Sequence, residues 1–242
     1  MSHIHLPDGI LPVWLWALGW ILMVGLLFIF RNHFQKRGFT SKIPLVATFS
    51  AVMVISMSLE IVPILYHINL SVVSAIILGP GWFILCSFVV NLILAFFGHG
   101  GITVVGLNSL VITAEGLFGY FLFKTLWSIL KKIFWAGFVS TFLALFLSTF
   151  FALGIVALGT SDLSKSFGIG EKLHPKTDKG FFKFETREAE KQKEESLAEF
   201  DFKKFLFLVL GFGSIGWVLE GLITAGILRY LHKVRPGIFE GD

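Results

Sequence analysis

Cysteine is nearly absent: the 242 residues hold one, Cys86. No intrachain disulfide can form, and the redox compartment cannot be read from it. Charge is also scarce. Asp, Glu, Lys and Arg make up 15% of the chain against 55% hydrophobic residues, with a mean hydropathy of +0.80. Those values exclude a soluble domain of ordinary composition and describe a polytopic membrane protein. Met1 to Leu11 lacks Lys and Arg. No small-residue cleavage site follows Trp14 to Phe30, so a cleaved signal peptide is not expected. The chain contains neither G-x-x-x-x-G-K-[S/T] nor H-E-x-x-H. The first absence excludes an ATP-hydrolysing motor, and the second leaves a zincin-type catalyst without its motif. The formal net charge of +4 belongs to the loops and informs orientation, with no nucleic-acid partner implied.

What is abundant is apolar sequence. Runs of about 20 mostly apolar residues are long enough to cross a bilayer. Spans are expected over Pro12 to Phe30, Ile43 to Val62, Gly81 to Phe97, Val104 to about Leu130, Phe134 to Leu158 and Phe205 to Leu231. Ser71 to Leu78 is apolar but short. Gly79-Pro80-Gly81 must interrupt it, because proline blocks the helical ladder and glycine favours a turn. The 28 Phe and 7 Trp suit lipid-facing and interfacial surfaces.

Basic residues cluster at Arg31, Lys36, Arg37 and Lys42, at Lys124, Lys131 and Lys132, and at Arg229, Lys233 and Arg235; the amino terminus and Pro63 to Leu70 carry none. By the positive-inside rule the basic clusters are cytoplasmic and the amino terminus external. Passing from an external Pro63 to an internal Lys131 needs an odd number of crossings. The segment from His67 to Gly79 therefore counts as a third, partly dipping helix. The fold class expected is all-α, with about seven transmembrane helices in one domain over residues 1–242, amino terminus outside and carboxyl terminus cytoplasmic.

Residues 159–204 form a polar, charge-balanced insertion placed outside, since long loops translocate largely regardless of charge. Glu185 to Phe200 within it has i,i+4 charge pairs suited to a helix. A solvated, disordered insertion is the plainer expectation, with His174 simply exposed.

This parity gathers His3, His5, His67 and His99 on the external side, and puts His33 and His232 on the other. The external terminus, residues 1–11, has metal-binding chemistry. With Met1 retained, the Met1 amine, the Ser2 and His3 amides and the His3 imidazole supply four nitrogens in a plane. Without Met1, the Ser2 amine and the His3 amide and imidazole supply three. Square-planar nitrogen sets suit Cu(II) or Ni(II). A frayed terminus is the alternative, but Pro7-Asp8-Gly9 is a turn signal that folds the terminus back. His67, Asn69 and Ser71 precede the short apolar helix, where polar groups are costly unless they face a cavity. His99 stands among four glycines that allow tight turns, and Asn108 follows in the next helix. Glu60, Glu115 and Glu220 are acids in apolar surroundings; helix-to-helix hydrogen bonding is as good a reading as metal binding for Glu115 and Glu220.

Four stretches, HLPDGILP, HINLSVVSAIILGP, HGGITVVGLNSLV and EGLITAGILRYLHKVRP, occur in order across nearly the whole chain except Gly159 to Lys204. With them the sequence resembles the CbiM/NikM family, the substrate-binding (S) components of energy-coupling factor (ECF) transporters for cobalt and nickel. The resemblance implies a multi-pass protein of the cell membrane, a six-helix core with an added amino-terminal helix, that captures Co(II) or Ni(II) from outside. It implies a CbiQ-like T component, a CbiO-like ATPase and a small CbiN- or NikN-like subunit as partners, and no catalytic cofactor. It further implies a metal held by the terminal amine, a backbone amide and the imidazole of a histidine right after Met, with a second histidine from the His67 loop. The family's terminal histidine aligns with His5, which here is preceded by Met1-Ser2-His3-Ile4. The metal set expected is therefore Met1, Ser2, His3, His5 and His67, with Asp8, Asn69, His99 and Asn108 supporting or closing it. Two other classes stay open on the residues alone: an intramembrane metalloenzyme using His67, His99 and a glutamate, and a non-catalytic scaffold.

Overall fold

The computed structural model describes residues 8–9, 11–36, 39–58, 60–61, 66–166 and 202–238. The terminal segment before Asp8 and most of the insertion, including Glu185 to Phe200 and His174, lie outside the described residues. Among the described residues there are seven α-helices: α1 (Val13–Lys36), α2 (Phe39–Ser58), α3 (Ser71–Leu78), α4 (Pro80–Phe96), α5 (Val105–Leu130), α6 (Ile133–Ser166) and α7 (Phe202–Val234). A helix satisfies every backbone polar group within its own segment, the condition that hydrocarbon imposes on a spanning chain. Four stretches are long and apolar enough to cross a membrane: Val13–Asn32, Val105–Leu130, Ile133–Gly159 and Gly213–Val234; Lys42–Ser58 and Pro80–Phe96 are shorter apolar helices.

Several boundaries differ from expectation: α1 runs on past Phe30 to Lys36, α2 starts at Phe39 instead of Ile43, and α7 extends a few residues beyond Phe205 to Leu231 at both ends. The second helix stops at Ser58 instead of reaching Val62, and residues 60–61 pair antiparallel with 66–67 in the register Glu60↔His67, Ile61↔Tyr66. Pro63 disfavours helix at the residue before it, and the β-branched Ile61 and Val62 suit an extended strand. The sixth helix continues past the apolar run at Leu158 to Ser166, because a backbone ladder, once nucleated, propagates into polar residues.

The break between α3 and α4 is where the sequence puts it. Gly79 adopts φ 79° and ψ 159°, a conformation open to glycine, and Pro80 starts α4 where a missing N–H costs nothing. With eight residues, α3 is about 12 Å long, under half the hydrocarbon thickness.

Helix α5 is the centre of the bundle, in contact with α1, α3, α4 and α6, while α7 packs on α6. Small residues let the backbones approach, as helix association in lipid requires. A Cβ on Gly106 would stand 2.5 Å from the Trp20 backbone nitrogen, and one on Gly119 2.6 Å from the Val72 side chain. The largest apolar core joins α2, α3, α4 and α5 through Met53, Met57, Leu78, Phe83, Val90, Leu94 and Ile112. A second joins Leu11 and Leu15 to Val104, Leu107, Val111, Ala152 and Ile155. The starts of α1 and α5 and the distal part of α6 therefore share one end of the bundle. At the other end α5 closes on Lys131, whose φ of 54° is a left-handed helix cap. There the Trp127 and His232 rings meet edge to face at 6.0 Å.

Candidate metal centre

The end of the bundle that begins with Asp8 also carries the residues 97–104 that join α4 to α5. Gly98 and Gly100 take φ of 78° and 88°, turning the chain on either side of His99. Asp8 docks on this turn. Its carboxylate accepts the backbone N–H of Ile102 at 3.0 Å, the N–H of Thr103 at 2.9 Å and the Thr103 hydroxyl at 2.5 Å. The Thr103 hydroxyl is the largest influence holding the Asp8 carboxyl below its usual range; desolvation, next in size, opposes it, and the backbone N–H groups of Thr103, Ile102 and Val104 add to the lowering. The approach depends on Gly101, where a Cβ would fall 2.5 Å from the Asp8 backbone nitrogen and collide with its carboxyl group. From beside this turn, Trp20 donates its indole N–H to the Thr103 carbonyl at 2.7 Å. Asp8 and Gly9, two of the three residues of the turn expected at Pro7-Asp8-Gly9, form a turn; the terminus expected to fold back through it lies outside the described residues.

His67 reaches the same place from the β ladder. Its ring lies edge to face with that of His99, centroids 5.7 Å apart, and both side chains are half-buried. Beneath them is a buried polar cluster. Asn69 donates its side-chain amide to Glu115 Oε1 at 2.8 Å, and the Ser71 hydroxyl donates to the same oxygen. The Ser71 backbone N–H donates to Asn69 Oδ1 at 2.9 Å. Asn69, Ser71 and Glu115 are each fully enclosed. Interhelical hydrogen bonds in a membrane contribute about 0.6 kcal/mol on average and at most about 1.7. Such a cluster adds modestly to stability and strongly to position.

Of the residues singled out by sequence, the structure pairs His67 with His99, seats Asp8 on the turn that follows His99, ties Asn69 to Glu115, and buries Asn108 one turn into α5. Met1, Ser2, His3 and His5 lie outside the described residues. Among the described residues no group of three or more His, Cys, Asp or Glu side chains is placed to hold a metal. Glu115 is a helix-to-helix hydrogen-bonding group, one of the two readings its sequence position left open. Glu220 is equally buried, on α7. Three contributors escaped sequence reasoning: Thr103 and Gly101 as the seat of Asp8, and Trp20 as their brace. A polar Thr beside a glycine turn was the only signal for the first.

The arrangement defines a class: a multi-pass membrane protein with a histidine-bearing polar mouth at one end and no catalytic constellation among its described residues. Within that class, the family model for the CbiM cobalt uptake substrate-specific transmembrane region matches residues 5–238, and the chain belongs to that family. Its members are transport proteins, so the chain is a metal-transporter component, with a metal ion as its plausible cargo. Two solved structures share the fold. A transition metal transporter gives a TM-score of 0.66 at 19% identity, covering 96% of this chain and 93% of its own. A truncated transition metal transporter gives 0.65 at 18%, covering 96% and 99%. No curated protein gives a significant match.

Proposed function

We propose that this chain is the substrate-capture component of an ATP-driven ECF-type importer for Co(II) or Ni(II). Its metal is held by nitrogens of its own amino terminus together with His67. The observation that carries this reading is the docking of Asp8 on the turn after His99. It fixes Asp8 beside the turn that carries His99, whose ring meets that of His67. An extended chain covers at most about 3.5 Å per residue, so the backbone of His5 lies within about 10 Å of Asp8 and that of His3 within about 17 Å.

The family match covers residues 5–238, so it includes His5 and leaves out Met1 to Ile4. The amine and His3 then form the chelate, and His67 or His5 completes the plane. Histidine nitrogens and deprotonated amides suit the later first-row divalent ions and leave cobalt and nickel to be separated by geometry and supply. His99 and Asn108 close the site from the turn and from α5.

In this reading six helices cross and the short α3 dips partway and counts as the remaining span, with the histidine mouth outside and the basic end cytoplasmic, and the 159–204 insertion is external. The chain has no phosphate-binding loop of its own, so a CbiO-like ATPase acting through a CbiQ-like T component supplies the energy, with a CbiN/NikN-like subunit alongside. ATP hydrolysis on these partners tilts the capture component and opens its mouth to the inside.

Calorimetry on purified protein tests the site. His3→Ala with His67→Ala abolishes Co(II) and Ni(II) binding. Extending the chain ahead of Met1 removes uptake in cells by burying the amine in a peptide bond. Undiminished binding by the double variant would falsify the ligand assignment.

A further inference from the structure

Glu115 stands on α5, three turns below the mouth, and belongs to neither the terminus nor the histidine pair. Its Oε1 nonetheless accepts both the Asn69 amide and the Ser71 hydroxyl, and Asn69 in turn accepts the first backbone N–H of α3. One carboxylate oxygen thus fixes the start of α3 and the side chain that lies two residues after His67. Strand β2 ends at His67, where the ring packs on His99. Between that ladder and α3 there are only three residues, two of them the apolar Ile68 and Leu70.

We infer that Glu115 is a positioning residue for metal capture: through Asn69 it sets where the His67 imidazole sits, and it acts as a hydrogen-bond acceptor, not as a charge. This inference rests on the proposed role of His67 as a ligand. The reasoning is geometric. Without the Oε1 acceptor, Asn69 and Ser71 each lose a hydrogen-bond partner on the central helix α5. A metal site is sensitive to such a change even where stability is not. Groups that orient ligands change metal affinity by about 10- to 100-fold when removed. A glutamine keeps a carbonyl oxygen in the same place and accepts the same two donors, whereas alanine removes the acceptor.

The test uses the full chain in detergent and Co(II) as the probe. Glu115→Ala lowers Co(II) affinity at least about tenfold, Glu115→Gln stays within a few-fold of wild type, and Asn69→Ala reproduces the Ala phenotype. Combining Glu115→Ala with Asn69→Ala adds little to either alone. Thr113→Val serves as the structural control. It breaks the buried 2.6 Å hydroxyl pair of Ser87 and Thr113 on the neighbouring α4–α5 contact, and it lowers the melting temperature without changing Co(II) affinity. X-ray absorption on the Ala variant shows an altered nitrogen shell. If Glu115→Ala does not fold, Asn69→Ala carries the test by itself. Three outcomes overturn the inference: unchanged affinity in Glu115→Ala or Asn69→Ala while His67→Ala abolishes binding, failure of Glu115→Gln to bind, or an affinity loss in Thr113→Val as large as in Glu115→Ala. Full binding by His67→Ala overturns the ligand reading itself.

Discussion

Asp8 and Thr103, far apart in sequence, are joined by two hydrogen bonds, from the Thr103 N–H at 2.9 Å and its hydroxyl at 2.5 Å to Asp8 Oδ1. The amino-terminal approach to the bundle is thereby tied to the turn that follows His99.

That tie has a defined pH dependence. The folded-state pKa of Asp8 is depressed below the ordinary carboxylate value, chiefly by the Thr103 hydroxyl, with backbone N–H groups adding to it against opposing desolvation. Stabilisation from a depressed carboxyl is fully present above the unfolded pKa and is lost as pH falls through the folded one. From pH 8 to pH 5 the docking is therefore constant. Asp8→Ala weakens Co(II) binding several-fold, by the same ratio at every pH in that window, because proton competition at the histidine ligands acts equally on both proteins. Titration calorimetry at pH 5, 6.5 and 8 checks it; a ratio that shrinks toward pH 5 contradicts the assignment.

Gly101→Ala is expected to copy Asp8→Ala. The new Cβ occupies the position of the Asp8 carboxyl group, so the aspartate is pushed off its seat while the turn keeps its own hydrogen bonds. The two variants and their combination should share one Co(II) affinity. A clear further loss in the double variant would show that Gly101 acts by another route.

Gly106→Ala forces α1 away from α5, since the added carbon meets the Trp20 backbone nitrogen at 2.5 Å and backbone cannot turn aside. Overpacking of this kind costs about 1–3 kcal/mol. Gly25→Ala, on the same α1 helix with nothing within 4 Å of the new carbon, is the control. It gains about 0.5–1 kcal/mol from helix propensity. Thermal unfolding in detergent separates them, one melting lower than wild type and the other at or above it.

Orientation is open to labelling because the single native thiol, Cys86, is fully buried and bonded to Ser50 at 3.2 Å. In intact cells a membrane-impermeant maleimide should modify Thr177→Cys in the insertion and spare Lys132→Cys between α5 and α6. Inside-out vesicles should reverse the pattern. Labelling of Lys132→Cys in intact cells would invert the proposed topology.

The membrane class, the helices and the α3–α4 break were legible in sequence because each depends on local composition. Long apolar runs leave few structural options in hydrocarbon, and Gly79-Pro80 interrupts a helix wherever it occurs. The end of α2 was misjudged by a few residues, since Ile61 and Val62 are as apolar as a helix needs and only Pro63 argues for the strand pairing that forms. His67 and Asn69 were recognisable as polar residues in costly places, Asp8 and His99 as parts of turn-forming stretches, and the parity of charged loops put all four on one expected side. Which groups they touch was not legible. Asn69 and Glu115, and Asp8 and Thr103, are paired across long separations in the chain, and hydropathy carries no record of such pairings. They arise from how closely α1, α3 and α5 can pack, which is set by shape at Gly106 and Gly119, where a single added carbon would hold the helices apart. Local chemistry thus determined what the segments are, and three-dimensional packing decided which polar groups share a partner, because hydrogen bonds form only between groups that backbone contact has already brought within about 3 Å.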